Sequence, residues 1–283
     1  MDSAVNININ LSSLNINGLN TEKKQRLLHQ FMTQHKIDIL LVQEHNIRED
    51  GKIKYLEKYY KILMNKSTNF KGGTCILIKS HIDCEIERVE MSADSRVISA
   101  ICKMQDRKIH LLNIYAPAGE KATREEFFEN EIPYYIRHNT SNTFIGGDFN
   151  SVISSNDVSS SNTNSISKTL LKLLRDARLI DAWWVHNNHQ EYTYFRQNYG
   201  SRIDRFYCNN RNNIVKSNVI HCSFSDHSAI SITININQNI CIGKSYWKLN
   251  TSLLDDAEVK ENFNTLWHFM KTKQYDYDNI IVW

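Results

Sequence analysis

Val5, Ile7, Ile9 and Leu11 alternate strictly with Asn6, Asn8 and Asn10. The same two-residue beat returns far along the chain, where Ile230, Ile232, Ile234 and Ile236 alternate with Ser231, Thr233 and Asn235. Side chains of a strand point to opposite faces in turn, so a period of two specifies a strand with one buried face. Between these two segments, Ile37 to Val42 is continuously apolar, which fits a strand buried on both faces. Further strands are predicted over 74–79, 84–91, 96–104 and 108–115, through Phe144-Ile145-Gly146-Gly147, and near 192–197, 202–208, 214–222 and 229–236. Gly72-Gly73 marks a turn ahead of the 74–79 strand. A chain built this way has to pack sheets.

Helices are fewer. Asn20 or Thr21 can cap a helix over 22–36, whose Leu27, Leu28, Phe31 and Met32 form one stripe. A second is predicted over 122–138, with Phe127, Phe128, Glu131 and Tyr135 in register and Pro133 breaking or kinking it near residue 132. Leu170, Leu171, Leu174 and Ala177 mark a third, after a Ser- and Asn-rich loop over 151–167. Many strands with few helices predict an α/β fold of two packed sheets flanked by helices. Residues 238–283 change character. Trp247, Leu249, Leu253, Leu254, Phe263, Leu266, Trp267 and Phe269 recur among acids and lysines, which predicts one or two amphipathic helices after a folded domain over 1–237.

Composition narrows the class. Of 283 residues, 41% are hydrophobic and 23% charged, an ordinary globular balance, and the formal charge of +3 permits an anionic partner without requiring one. No Lys/Arg run reads as a nuclear address, Met1-Asp2-Ser3-Ala4 lacks the basic start and apolar centre of a secretion signal, and no run approaches a membrane span. The six cysteines form no CxxC pair, so they read as reduced thiols of a soluble intracellular protein.

Chemistry gathers at the strand ends. Gly147-Asp148-Phe149-Asn150 closes one strand and Ser225-Asp226-His227 precedes another. Acids and an Asp-His pair at such positions suit metal-assisted hydrolysis of a phosphodiester. Four further strings accompany them: Leu14-Asn15-Ile16-Asn17-Gly18-Leu19, Val42-Gln43-Glu44, Asn113-Ile114-Tyr115-Ala116-Pro117 and Ser201-Arg202-Ile203-Asp204. Each residue alone also has a structural reading. Asp204, for example, can simply pair with Arg202 or Arg205.

In this order the six strings resemble the endonuclease/exonuclease/phosphatase family, which includes apurinic endonucleases and DNase I. The resemblance covers residues 4 to 237. Asn113 to Pro117, the stretch Lys71 to Ile78 and the tail string Tyr246-Trp247-Lys248-Leu249-Asn250 resemble more narrowly the endonuclease domain of LINE-type non-LTR retrotransposons. The resemblance implies a four-layer α/β sandwich with two mostly antiparallel sheets, DNase I-like. It implies an enzyme that uses Mg or Mn to nick one strand of double-stranded DNA. The resulting 3′-hydroxyl primes reverse transcription, with element RNA and a reverse transcriptase as partners in the full-length protein. The module is expected to be monomeric, made in the cytoplasm and active in the nucleus.

By the same resemblance Glu44 is the metal carboxylate, with Asn15 and Asp226 near the ion or its waters. Asp148 aligns or deprotonates the attacking water, Asn150 fixes Asp148 and the phosphate, His227 faces the phosphate from the other side, Asp204 orients His227, and Tyr115 donates to the phosphate. Thr193, Arg196, Ser201 and Arg202, around a short hairpin, are predicted to contact DNA. Asn17 stands where apurinic endonucleases often carry Asp, which weakens a second metal carboxylate there. The rival readings are a host apurinic endonuclease, a phosphoinositide or other small-molecule phosphatase, and a decayed copy that binds nucleic acid without cutting it.

Overall fold

A computed structural model describes residues 8–49, 51–68, 71–104, 107–137, 140–159, 166–197, 199–235 and 257–273. The chain divides into two compact units, Met1–Gln238 and Asn239–Trp283.

In the first unit one six-stranded sheet contains β1 (Asn8–Asn15), β2 (Ile39–Gln43), β3 (Tyr60–Asn65), β4 (Thr74–Lys79), β13 (Ile214–Ile220) and β14 (Ala229–Asn235), in the order β13-β14-β1-β2-β4-β3. The other contains β5 (Glu85–Met91), β6 (Val97–Met104), β7 (Arg107–Tyr115), β8 (Thr143–Asp148), β9 (Ile180–Asp181) and β12 (Asp204–Cys208), in the order β5-β6-β7-β8-β12-β9. A separate hairpin pairs β10 (Tyr194–Arg196) with β11 (Tyr199–Ser201). Within each large sheet only the central pair is parallel, β1 with β2 and β7 with β8, and all other neighbours are antiparallel. The two sheets thus repeat one strand pattern, although no repeat is visible in the sequence.

Strand alternation builds the layers. Ile9, Leu11, Ile39, Leu41, Ile76 and Ile78 of the first sheet face Ile98, Ala100, Cys102, Leu111, Phe144 and Phe206 of the second in one shared core. The intervening Leu14, Leu40, Val42 and Leu77 turn outward onto α1 (Glu22–Gln34) and α2 (Lys54–Glu57), through Leu28, Met32 and Leu56. Leu112, Ile114, Ile145 and Tyr207 do the same against Phe127, Phe128 and Tyr135, and against Leu170 and Leu174 of α5 (Lys168–Asp176). The result is helix, sheet, sheet, helix. Thr21 caps α1, accepting from the Lys24 amide.

The predicted 122–138 helix is one path with a fault in it. It runs as α3 (Lys121–Glu126), a π-turn over Phe127–Glu131 and α4 (Ile132–Ile136). Pro133 has no N–H to give the preceding turn, and the widened turn keeps Phe127, Phe128 and Tyr135 buried around it. The predicted 192–197 and 202–208 strands become the hairpin and β12. The edge strand β3 carries no clean alternation and is held instead by register with β4. Residues 5–7 and 236, at the ends of the two alternating segments, lie outside the described residues, as do 238–256 of the tail. Within the tail, α6 (Ala257–Lys273) is a helix. Five described cysteines, Cys75, Cys84, Cys102, Cys208 and Cys222, are free. Among the described residues no helix is long and apolar enough to cross a membrane.

Candidate active site

The two parallel pairs end at the same edge of the sandwich, and the reactive side chains collect there. β1 ends on Asn15 and β2 stops one residue short of Glu44. β7 ends on Tyr115, β8 on Asp148, and β12 begins at Asp204. Register places Tyr115 and Asp204 on either side of Asp148. His227 sits just before β14 and forms a bridge with Tyr194 of the hairpin.

One amide joins the two sheets. Asn15 Nδ2 donates to Glu44 Oε1 at 2.9 Å and to Asp148 Oδ2 at 3.0 Å, while its Oδ1 accepts from the Asn17 amide at 3.1 Å. Asn150 donates twice to Asp148, from its backbone N–H at 2.9 Å and from Nδ2 at 3.3 Å, and Nδ2 also reaches the Ala116 carbonyl at 2.9 Å. Opposite, His227 Nδ1 lies 2.9 Å from Asp204 Oδ2. Asp204 therefore pairs with the histidine. Arg202 and Arg205 are taken by other acids, Arg202 by Asp181 at 2.6 Å and Arg205 by Asp157 at 2.6 Å.

Backbone strain marks the same edge. Glu44, Asn17 and Asn150 have φ of 51°, 48° and 45°. Asn tolerates this left-handed conformation, but Glu ordinarily avoids it, so the fold holds Glu44 in an unfavourable state at the strand end.

The electrostatics follow from burial. Asp148, Asp204 and His227 are buried, whereas Glu44 is half-buried and Asp226 exposed. Burial, with Asp204 nearby, pushes the Asp148 carboxyl up to about 7. Burial alone would lower His227, but the charge and hydrogen bond of Asp204, aided by Asp148 and Asp226, lift it to about 10. The imidazole is accordingly a cation at neutral pH, with Nδ1–H donating to Asp204. Burial and the Glu44 carboxylate drive the Tyr115 phenol upward, so it stays a neutral donor.

The donor set fits a hard divalent cation. The carboxylates of Glu44 and Asp148 share the Asn15 amide, and Asp204 Oδ1, buried with no hydrogen-bond partner, stands in the same group as Asp148.

Not every predicted residue faces this centre. Asp226 accepts from Asn17 Nδ2 at 3.3 Å on the exposed rim. Arg196 is exposed on the hairpin. The expectation that Thr193, Ser201 and Arg202 line a DNA-facing rim is corrected, because all three are buried. Thr193 Oγ1 accepts from the Asp204 amide at 3.1 Å, Ser201 pairs with Tyr194, and Arg202 is locked onto Asp181. Thr193 therefore holds the Asp204 backbone from behind.

A polar bridge just beneath the centre is absent from the predicted set. Gln43 Nε2 donates to Asn113 Oδ1 at 2.6 Å and to Ser13 Oγ at 3.0 Å. Asn113 Nδ2 in turn donates to the carbonyls of Val42 and Cys75, both at 2.9 Å. The signal lay inside the Val42-Gln43-Glu44 and Asn113-Ile114-Tyr115 strings, as amides embedded in apolar strands.

A two-sheet sandwich with an acid–amide–Asp–His centre at one edge defines a class of phosphoester hydrolase folds. The profile of the endonuclease/exonuclease/phosphatase family matches residues 10–227, and the chain belongs to that family. It is also similar, at 24% identity over 97% of its length, to the transposon TX1 uncharacterized 149 kDa protein of Xenopus laevis, of which it spans 22%. Among solved structures it resembles a 3′ phosphatase from Neisseria bound to product DNA hairpin, with TM-score 0.69, 18% identity, and 80% of this chain and 99% of that one covered. It also resembles an AP endonuclease from Archaeoglobus fulgidus, with TM-score 0.66, 17% identity and coverage of 80% and 99%. At these identities the likeness is one of fold.

Proposed function

We propose that this chain is the DNA-nicking module of a LINE-type non-LTR retrotransposon, a Mg- or Mn-dependent endonuclease that cuts one strand of double-stranded DNA to a 3′-hydroxyl. The observation that carries the reading is the convergence of Asn15, Glu44, Tyr115, Asp148, Asp204 and His227 from both sheets onto one edge. The likeness to the TX1 transposon protein supports the setting. In that setting the 3′-hydroxyl primes reverse transcription in the nucleus, and element RNA and a reverse transcriptase are partners within a longer protein. Residues 1–237 would form the nuclease domain, and 238–283 a helical segment joining it to the rest of that longer protein.

Each side chain then has a task. Glu44, with Asn15 beside it and Asp226 at the rim, would hold the ion. A bound Mg or Mn would offset the phosphate charge that these acids would otherwise repel. Asp148, held by Asn15 and Asn150, is placed to accept the proton of the attacking water. His227, held by Asp204, presents its remaining N–H as a charged donor to the phosphate. Tyr115 adds a neutral donor. Arg196 is the residue of the predicted DNA-contact set that remains exposed, and would bind backbone phosphate.

Purified protein should nick supercoiled plasmid with Mg, lose that activity in excess EDTA, and regain it when Mg is restored. Abasic oligonucleotide and phosphoinositide are run beside the plasmid. Cleavage confined to the abasic site, or phosphate release from the lipid with intact plasmid, would replace this reading with one of its rivals. Full activity in EDTA would remove the metal from it.

A further inference from the structure

Residues 52–61 carry four lysines and three tyrosines against one acid, Glu57, a local charge of +3 that equals the formal charge of the whole chain. The segment leads into α2 and on to the start of β3. Register sets Asn65 of β3 level with Thr74 and Gln43, next to Glu44, and Tyr60 level with Lys79 at the other end of the sheet, roughly 17 Å of strand away. Two adjoining features are built there. On the α1 side the rings form a ready stack. Tyr59 lies on His29 with centroids 4.1 Å apart and planes at 25°, and His29 Nδ1 shares a 3.0 Å hydrogen bond with the Tyr60 hydroxyl. Tyr55 lies 5.5 Å from Tyr59, with the Arg26 guanidinium 4.4 Å and the Lys58 ammonium 6.0 Å from its ring centroid. On the β3 side, a groove of about 790 Å³ is lined by Lys52, Lys54 and Lys66 over Ile62 and Met64, with Glu57 as its acid. Core packing accounts for Leu56 and Tyr60, which are buried. It does not account for Tyr59, which is 41% exposed, or for Lys52, Lys54 and Lys58, which are exposed as well.

We propose that this surface binds single-stranded RNA, with bases stacked on Tyr59 and Tyr55 and phosphates led past Lys54 and Lys58 into the lysine-lined groove. Every base has a π-face that can extend an aromatic stack, and lysines beside the rings follow the backbone charge. A duplex hides those faces inside its own stack, so rings of this kind select an unpaired strand. Of the two nucleic acids, RNA is the one that offers unpaired bases without a duplex first being opened. An acidic peptide would satisfy the lysines but leave the exposed ring stack without a role. The surface uses no residue of the catalytic edge, so RNA binding and DNA nicking stand or fall separately.

The test reads binding rather than cleavage. The full chain is titrated in EDTA against fluorescently labelled oligouridine about 12 nucleotides long, with oligothymidine of the same length as the DNA arm, across a salt series. Each variant is first shown to melt like the wild type. Tyr59→Ala should weaken oligouridine binding roughly tenfold, whereas Tyr59→Phe, which keeps the ring, should bind like the wild type. Lys54→Gln and Lys58→Gln should each reduce the slope of log affinity against log salt by about 0.7, and they serve if Tyr59→Ala misfolds. No binding of oligouridine by the wild type at low salt, or unchanged affinity in Tyr59→Ala with unchanged slopes in the lysine variants, would overturn the proposal. Tighter binding of oligothymidine than of oligouridine would overturn the choice of RNA.

Discussion

At the scale of single residues, the centre depends on which partner each polar atom finds. Asp204 bonds His227, but its second oxygen is buried without a partner, so it can either orient the imidazole or reach a metal. Asp204→Asn separates the two. Orientation predicts a lower rate at saturating Mg with an unchanged Mg requirement, whereas ligation predicts the reverse. Nicking rate measured across a Mg series decides it. Asp148→Ala and His227→Ala should each cost roughly 10²-fold or more in rate, the usual size for a proton-transfer group, with circular dichroism unchanged. Glu131 offers a titration away from the centre. Burial, with Asp94 close by, pushes its carboxyl up to about 7. A raised acid pKa means the folded state binds its proton more tightly than the unfolded chain. Ionisation therefore penalises folding progressively from the ordinary carboxylate range up through about pH 7. Glu131→Gln should raise Tm at pH 8 and leave it unchanged at pH 4. Parallel melting curves for the two proteins across that range would show the group is not perturbed.

At the scale of elements, the parallel pairs are joined so closely that side chains decide their spacing. A Cβ on Gly147 would lie 1.9 Å from the Ile114 carbonyl oxygen, across the β7–β8 pair. Gly147→Ala must therefore push apart the strands that carry Tyr115 and Asp148, at a cost of roughly 3–5 kcal/mol, read by urea denaturation. The Gln43–Asn113 bridge works in the other direction, tying β2 and β4 of one sheet to β7 of the other beneath the site. Asn113→Leu removes three buried hydrogen bonds, leaves Gln43 Nε2 with Ser13 and Leu41 as its remaining acceptors, and should cost about 1–3 kcal/mol. The hairpin is the element the sequence described least well. Its arginines and hydroxyls looked like a surface, yet Arg202 and Arg205 are buried between Asp157 and Asp181. Nothing local distinguishes a solvated arginine from one that finds two acids 21 to 48 residues away in the chain.

At the scale of the whole molecule, every residue assigned to the centre lies between Asn15 and His227. A chain ending at Gln238 should therefore nick plasmid at the rate of the full chain, and loss of nicking in a folded truncation would place a needed residue in the tail. What the sequence determined by itself was local. Period two in β1 and β14, the continuous run of β2, the Thr21 cap and the acids at strand ends are short-range patterns, and they foretold the sheets, their flanking helices and the strand ends that carry Glu44, Asp148 and His227. Tertiary structure decided what depends on distance through space. It set the order of the strands, the repeated strand pattern of the two sheets, the Asn15 amide between Glu44 and Asp148, and the choice of His227 over an arginine as the partner of Asp204. The physical reason is that alternation tells a side chain which face it occupies, whereas a hydrogen bond or ion pair depends on which other strand arrives opposite it.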